Sequence, residues 1–375
     1  MKVLIYSHDF LPVLGGVPIV SRILAEGLTA AGHEVVIFTT TLANEGDAER
    51  PYEIVRSSWG ATLFAASRGA DVILANGFSR RAGLVALFTG KPLVIIHQMA
   101  DKQGDRAYRQ SARPSALVER ASFAAAACHI GVSEACLRSK DLDGSTRTTV
   151  VYNPIDPAIL ASEQALSSSL PPATQYDLLF AGRLIDGKGV HVLLAALRRL
   201  DADGCALRVC IAGTGPDADR LHAESALLKH VTVDFPGALD REGMAHAYAS
   251  SRLFVIPSST HQEGMPLVVA EALYFGLPII GSNQEMIVEG MGAAGLSFES
   301  GNAAALADKI RTLVEDNDLY NQLSRAAQDR SSQFLPDHFL SAVQDILYEA
   351  TGDSHRTDER PLYSDASPQT DPAPN

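Results

Sequence analysis

A chain of 375 residues, 46% of them hydrophobic, is too long for one ordinary core, so two domains are expected. The formal net charge of −13 argues against general nucleic-acid binding, and no apolar run approaches the roughly 18 residues that a membrane-spanning helix needs. The four cysteines (Cys128, Cys136, Cys205, Cys210) form no CxxC pair and no Cys/His cluster with zinc spacing, so they read as reduced core residues of a cytoplasmic protein.

The charge is uneven. Residues 1–170 hold 16 basic and 16 acidic side chains; the other 15 basic and 28 acidic residues place the whole −13 in 171–375.

In chain order the pattern is strand, turn, helix, repeated. KVLIYS (2–7) reads as a strand rather than a signal peptide, because Asp9 ends its short apolar run. Gly15 and Gly16 then precede a helix through Ile19, Ile23, Leu24 and Leu28, and Gly32-His33 ends it. Strands are predicted at 34–40, 71–75, 92–96 and 128–132. Lys102, Arg106, Arg109, Arg113 and Arg120 recur at helical spacing, although Pro114 interrupts the run. They read either as a solvated face or as a patch for an anionic acceptor or lipid headgroup, which would permit peripheral membrane contact through Arg106, Arg109 and Arg113.

SSSLPPATQ (167–175) reads as a linker, after which the pattern restarts. Strands are predicted at 176–182, 206–213, 231–237, 251–258 and 277–282, with helices over 189–200 and from about 217. A final helix is expected over 336–350, and the polar, Pro-rich stretch from about 352 is expected to be disordered. Strands alternating with helices give an α/β chain of two Rossmann-like parallel-sheet halves.

In open parallel sheets, ligands bind beyond the carboxyl ends of the strands. His97 lies at one such end, Arg183 at another, and Lys188 precedes the next helix. The loop RLIDGKG therefore brings an Arg and a Lys to a helix N-terminus, which suits a diphosphate; a plain surface loop is the other reading. In HQEGMPLVVAE (261–271), Pro266 suits the first helical position and Gly264 a sharp entry. Glu263 then sits before the helix and Glu271 inside an apolar stretch of it. Glu271 could accept from the two hydroxyls of a ribose, or be a core carboxylate paired with a local Arg or Lys. DxD occurs at Asp141/Asp143, Asp201/Asp203 and Asp217/Asp219, where it reads as turns and caps rather than as a metal site.

These stretches together resemble glycosyltransferase family 4, of the GT-B fold (glycosyl transferases group 1). The resemblance rests on residues 15–40, VYNPID (151–156), FAGRLIDGKGVHVLLAAL (180–197), IAGTGPDADRL (211–221), the Glu-x7-Glu segment of 263–280 and Gln284-Glu285, and it covers about 1–335. It implies two Rossmann-like domains facing a central cleft: an acceptor domain over 1–168, a nucleotide-sugar donor domain over 169–335, a helix over 336–351 packing back on the first domain, and a tail over 352–375.

By position it also implies roles. Arg183 and Lys188 match the pair on the donor diphosphate, and Glu271 the ribose-binding Glu. Glu263 matches the Glu near the donor sugar, with Gly264, Met265, Pro266 and Leu267 holding the sugar by backbone groups. His97 matches a His at the reaction centre, and Gly15 and Gly16 the loop over the donor phosphate. The family's EGFG is EGMP here and its NGxD is Asn153-Pro154-Ile155-Asp156, which removes one backbone donor.

The implied activity is retaining, metal-independent transfer of a sugar from a nucleotide diphosphate to a hydroxyl acceptor, with UDP the commonest base and GDP next. No cofactor is expected, because Arg183 and Lys188 stand in for a metal's charge. Two alternatives share the same motifs: a GT-B sugar phosphorylase or nucleotide-sugar epimerase, and a non-catalytic nucleotide-sugar binding protein.

Overall fold

The computed structural model describes the chain except for Leu14, Asn44, 102–104, Asp141, Asp143, Ser145, 168–173, 260–263 and 354–375. Glu263, Lys102, the first DxD, most of the expected linker and nearly all of the expected tail therefore lie outside the described residues.

The first half runs β1 (Lys2–Ser7), α1 (Gly16–Ala30), β2 (Glu34–Thr39), β3 (Glu53–Arg56), α2 (Gly60–Arg68), β4 (Val72–Asn76), α3 (Arg80–Thr89), β5 (Leu93–His97), α4 (Asp105–Gln110), α5 (Pro114–Ala124), β6 (Cys128–Gly131), α6 (Glu134–Ser139) and β7 (Thr148–Val150). The second runs α7 (Pro157–Ser167), β8 (Tyr176–Ala181), α8 (Val190–Ala202), β9 (Leu207–Ala212), α9 (Ala218–Ser225), β10 (Val231–Gly237), α10 (Arg241–Ala249), β11 (Ser251–Ile256), α11 (Leu267–Tyr274), β12 (Ile279–Ser282), α12 (Glu285–Met291), β13 (Gly295–Phe298), α13 (Ala303–Glu315), α14 (Asn317–Ser331) and α15 (Pro336–Thr351).

Two parallel sheets result, ordered β3-β2-β1-β4-β5-β6-β7 and β10-β9-β8-β11-β12-β13. The central strands carry unbroken apolar runs because helices cover both faces: every residue of β4 and β5 is buried. Strand order reverses between β1 and β4 in the first sheet and between β8 and β11 in the second. Such switch points open a crevice at the strand carboxyl ends. The strands that sequence reading did not pick out, β3, β7 and β13, are short, only partly buried, and lie at sheet edges, so they lack an apolar run.

The chain divides into two compact units. The first comprises Met1–Pro154 with Gln262–Met265 and Leu335–Ala366; Ile155–His261 and Pro266–Phe334 belong to the second. The change of unit falls at Pro154/Ile155, ahead of the Ser/Pro-rich stretch expected to mark it. The reason is local: Asp156 accepts from the Ala158 N–H at 3.0 Å and opens α7, which packs on α10 of the second unit.

The core of the first unit places α2, α3 and α5 on one face of the sheet through Leu63, Ala82, Val85, Ala86 and Phe123. Elsewhere in that unit α15 lies against α1. The approach is close enough that a Cβ at Gly27 would come within 2.3 Å of Leu340 Cδ1. Gln344 Nε2 lies 2.9 Å from His33 Nε2, and Tyr348 meets the same ring edge-on at 5.6 Å. No helix among the described residues is long and apolar enough to cross a membrane.

Leu340 is fully buried in this contact. Leu340→Ala is expected to lower unfolding free energy by about 2–5 kcal/mol, read by denaturant melts, because a cavity is left facing Gly27.

Candidate functional site

In the first unit, the carboxyl ends of β1, β4 and β5 are joined by a chain of buried polar side chains. Ser21 Oγ on α1 donates to Ser7 Oγ at 2.7 Å, and Ser7 Oγ donates to the Asp9 carbonyl at 2.6 Å. Asn76, the last residue of β4, donates from Nδ2 to Ser21 Oγ at 2.7 Å and to the Val17 carbonyl at 3.1 Å. Gln98 Nε2 donates to Asn76 Oδ1 at 2.8 Å, and Asn153 Nδ2 donates to Gln98 Oε1 at 2.9 Å and to the Met265 carbonyl at 3.3 Å. Asn153 Oδ1 is buried with no partner among the described residues. The series fixes the start of α1, the end of β5 and Met265 to one another. Gly264 must be glycine here, because a Cβ would lie 2.2 Å from the Gln98 carbonyl oxygen and 2.6 Å from Val132 Cγ2. Gly15 caps the exposed N-terminus of α1 in extended conformation, and Gly16 is its first residue.

His97 ends β5 and is 2% exposed. Its Nε2 lies 2.9 Å from His129 Nδ1 on the adjacent β6, and His129 Nε2 lies 3.0 Å from the Phe123 carbonyl. A carbonyl only accepts, so His129 carries its proton on Nε2 and offers the Nδ1 lone pair. His97 then donates from Nε2, and its own Nδ1 keeps a lone pair. Burial first, then the charges of Lys140, His129 and Arg109, hold the His97 pKa well below the usual imidazole range, so this ring is neutral. Phe123 packs edge-on against both rings.

In the second unit, loops after β8, β9 and β11 interlock through backbone. Gly189 has φ +71° and a Cβ there would lie 2.0 Å from the Pro257 carbonyl oxygen. Side chains at Gly213 and Gly215 would strike the carbonyls of Gly182 and Leu184 at 1.9 and 2.3 Å. Hydrogen bonds stitch the same loops: Leu184 N–H to Thr214 O at 2.8 Å and Ser259 N–H to Gly187 O at 3.1 Å. Arg183 and Lys188 stand on this platform, with Arg183 exposed and Lys188 half-buried just before α8.

Glu271 lies in α11, with Leu267 its first residue and Pro266 its N-cap, one position earlier than the sequence suggested. It is 4% exposed, and Tyr248 O–H donates to its Oε2 at 2.8 Å. Oε1 has no donor among the described residues. Burial raises its pKa, against the charge of Arg241 and the Tyr248 hydrogen bond. The local Arg pairs elsewhere: Arg241 Nε lies 2.9 Å from Asp156 Oδ2. Tyr248 is thus the partner that sequence reading missed; an aromatic in a short helix one strand upstream gave no signal. His129, inside an apolar strand, and the Asn76–Gln98 amides, at strand ends, were visible as polar residues in apolar runs.

The expected basic face does not form. Two helices, α4 and α5, replace one, and Arg113 caps the second. Arg109 is 8% exposed; it pairs with Asp101, lies 3.8 Å from Glu119 and sits over the Phe123 ring. A buried, paired cation makes no membrane contact, so that reading of Arg109 is corrected. A cavity of about 270 Å³ does open beside Arg106, Arg109, Arg120 and Lys140. Of the DxD pairs, Asp201 accepts the N–H groups of Lys229, His230 and Val231, Asp203 pairs with Arg311, and Asp217 precedes α9.

Two tests follow from this geometry. The folded state holds the Glu271 proton more tightly than the unfolded chain, so stability falls as pH rises from the ordinary value of 4.5 through the raised one. Glu271→Gln keeps an acceptor for Tyr248 and removes the charge. Its melting temperature should exceed that of the wild type at pH 7, and the difference should vanish in acid. For His97, long-range ¹H–¹⁵N spectra should show the Nε2–H tautomer. That preference should be lost in His129→Leu and retained in His129→Asn, whose amide oxygen can replace Nδ1.

The family described as Glycosyltransferase Family 4 matches residues 14–159, and that described as Glycosyl transferases group 1 matches 162–330. The chain is 26% identical to a glycogen synthase of Mycobacterium tuberculosis over 381 aligned positions, covering 88% of this chain and 90% of that protein. It is 29% identical over 189 positions to a putative colanic acid biosynthesis glycosyltransferase of Salmonella typhimurium, covering 47% of this chain and 46% of the relative. Among solved structures, Anabaena HepE in complex with UDP and glucose superposes with a TM-score of 0.71 at 19% identity, covering 92% and 99% of the two chains. The sucrose-phosphate synthase of Thermosynechococcus elongatus gives 0.71 at 22%, covering 94% and 100%. Both sheets and both halves are accounted for: the chain belongs to the GT-B glycosyltransferases of group 1, family 4.

Proposed function

We propose that the protein moves a sugar, with retention of configuration, from a nucleotide-diphosphate donor to a hydroxyl of a glycan, lipid-linked or small-molecule acceptor in cell-envelope or exopolysaccharide synthesis. UDP is the first choice of base and GDP-mannose the next; HepE, of the same fold, has been solved with UDP-glucose. The observation that carries the reading is the backbone-locked platform holding Arg183 and Lys188 before α8. Cations and helix N–H groups set there in advance stabilise a leaving diphosphate without rearranging as charge develops.

Glu271 Oε1 accepts from the ribose, with Tyr248 fixing the other oxygen. His97, held as one tautomer, serves the sugar and the reaction centre. Gly15 and Gly16 present the first N–H groups of α1 to the donor phosphate, and Glu263, Gly264, Met265, Pro266 and Leu267 hold the sugar. The reaction needs no carboxylate nucleophile: the leaving phosphate helps to deprotonate the acceptor on the same face. Arg183 and Lys188 make a metal unnecessary. The cavity beside Arg106, Arg120 and Lys140 suits an acceptor bearing an anionic group.

The test is a binding screen of UDP, GDP and ADP with their glucose, N-acetylglucosamine, galactose and mannose derivatives, in EDTA, on wild type and Glu271→Ala. One nucleotide should bind selectively and be lost in the variant. With the donor found, Lys188→Ala should lower turnover at least ~100-fold. Near-normal turnover would sink the diphosphate assignment.

A further inference from the structure

The cavity of about 270 Å³ among α4, α5 and the segment after α6 has walls unlike the rest of a chain of net charge −13. Four residues that line it are cations: Arg106, Arg109, Arg120 and Lys140. Gln110 and Thr146 add an amide and a hydroxyl, and Phe123 and Leu142 an apolar wall. No carboxylate is among the described residues that line it; Asp101, Asp105 and Glu119, the acids of this neighbourhood, lie outside the lining. The volume is many times the roughly 15 Å³ that admits one water, so it takes a phosphoryl group together with what carries it.

The inner cations are fixed in place. Arg109 and Lys140 are buried, and Asp101 offers one oxygen to each, to Lys140 Nζ at 2.6 Å. Arg109 also donates to the Lys140 carbonyl at 3.1 Å, and the Asp101 N–H to Ser139 Oγ at 3.0 Å, so the loop after β5, α4 and the end of α6 form one frame. Glu119 lies 3.8 Å from Arg109 and is shared with Arg80 at 3.7 Å. Arg106 and Arg120 stand at exposed positions. Arg120 Nη1 donates to the Arg109 and Ser111 carbonyls at 2.6 and 3.1 Å, while its Nε and Nη2 have no partner among the described residues. One edge of the guanidinium is thus anchored, and the other keeps the two parallel N–H groups that match two oxygens of an oxyanion.

We propose that this cavity is a binding site for a phosphate dianion, free or as a soluble phosphomonoester: Arg106 and Arg120 take phosphoryl oxygens, Arg109 and Lys140 supply fixed charge within, and the carrying group lies against Phe123 and Leu142. A carboxylate has two oxygens and one charge; a phosphoryl group has three terminal oxygens and the second charge that several cations call for. Cations already held in position lose little freedom when an anion arrives. Phe123 is the wall through which occupancy is felt, since it packs edge-on against His97 at 5.5 Å and His129 at 5.2 Å. A phosphate carried by the acceptor is one source of the ligand, and that source rests on the transferase reading; inorganic phosphate or a small sugar phosphate acting as an effector is the other.

The test titrates the full-length wild type with inorganic phosphate, glucose 6-phosphate and neutral glucose, with no nucleotide present, by calorimetry and in long-range ¹H–¹⁵N spectra. At least one of the two phosphates should bind saturably and move the His97 and His129 ring signals; glucose should do neither. Arg106→Gln and Arg120→Gln, both at exposed positions, should each weaken binding roughly tenfold, the low end for a charged hydrogen bond. Lys188→Ala should leave it unchanged. Binding of neither phosphate, binding without movement of the ring signals, or equal binding to both Arg variants would overturn the proposal. So would binding that is lost in Lys188→Ala and kept in Arg120→Gln, which puts the phosphate on the donor platform. With the acceptor identified, inorganic phosphate that competes with it supports the acceptor as the source, and phosphate that changes kcat without competing supports an effector; phosphate that does neither is an adventitious ion only and overturns the site. Nucleotide binding that fails while phosphate binding stands would defeat the donor reading and leave this one supported.

Discussion

The run of buried amides and hydroxyls from Ser7 through Ser21, Asn76, Gln98 and Asn153 to the Met265 carbonyl is the constraint on which the first unit's candidate site depends. Each of these groups is out of water, so each must be paired or bear a desolvation cost of about 1–3 kcal/mol. Pairing them in one series sets where the loop before α1, the end of β5 and the segment at Gly264 can lie. Once Gln98 is so oriented, its carbonyl occupies the place of any side chain at Gly264. His97, its neighbour, inherits a fixed backbone and needs only His129 to settle its ring.

The second unit reaches the same rigidity by different means. Its loops carry few buried polar side chains; they interlock because Gly189, Gly213 and Gly215 let main chains pass within reach of one another. The side chains of Arg183 and Lys188 then stand on this interlocked backbone. Glu271 contrasts with this: it is buried, Tyr248 pairs with one of its oxygens, and burial disfavours its charged form.

Much of this was legible in the sequence, for identifiable reasons. Apolar runs of five or six residues gave the central strands, and glycines at strand ends gave the loops that matter. The edge strands β3, β7 and β13 were silent because half-buried strands of three or four residues have no apolar signature. The basic run makes no single face because Pro114, visible as an interruption, starts a second helix, and because Arg109 turns inward to Asp101, which its spacing did not reveal. Partners were hardest: nothing along the chain links Tyr248 to Glu271 or Asn153 to Gln98, since those pairings exist only after the sheets have formed. Asn153-Pro154-Ile155-Asp156 shows the division well. Its lost N–H was readable, but not that Asp156 opens α7 and so moves the boundary between units.

The return of α15 to the first unit has a consequence for synthesis on the ribosome. Units tend to fold as they emerge, from the N-terminal side. Here the first unit to emerge is completed only by Leu335 and the helix after it, so the groove at Gly27 waits for nearly the whole chain. Ile155–His261 and Pro266–Phe334 of the second unit emerge in the interval. The unit made first is therefore the last to close, and a nascent chain stalled before residue 336 would display the apolar side of α1 that Leu340 normally covers.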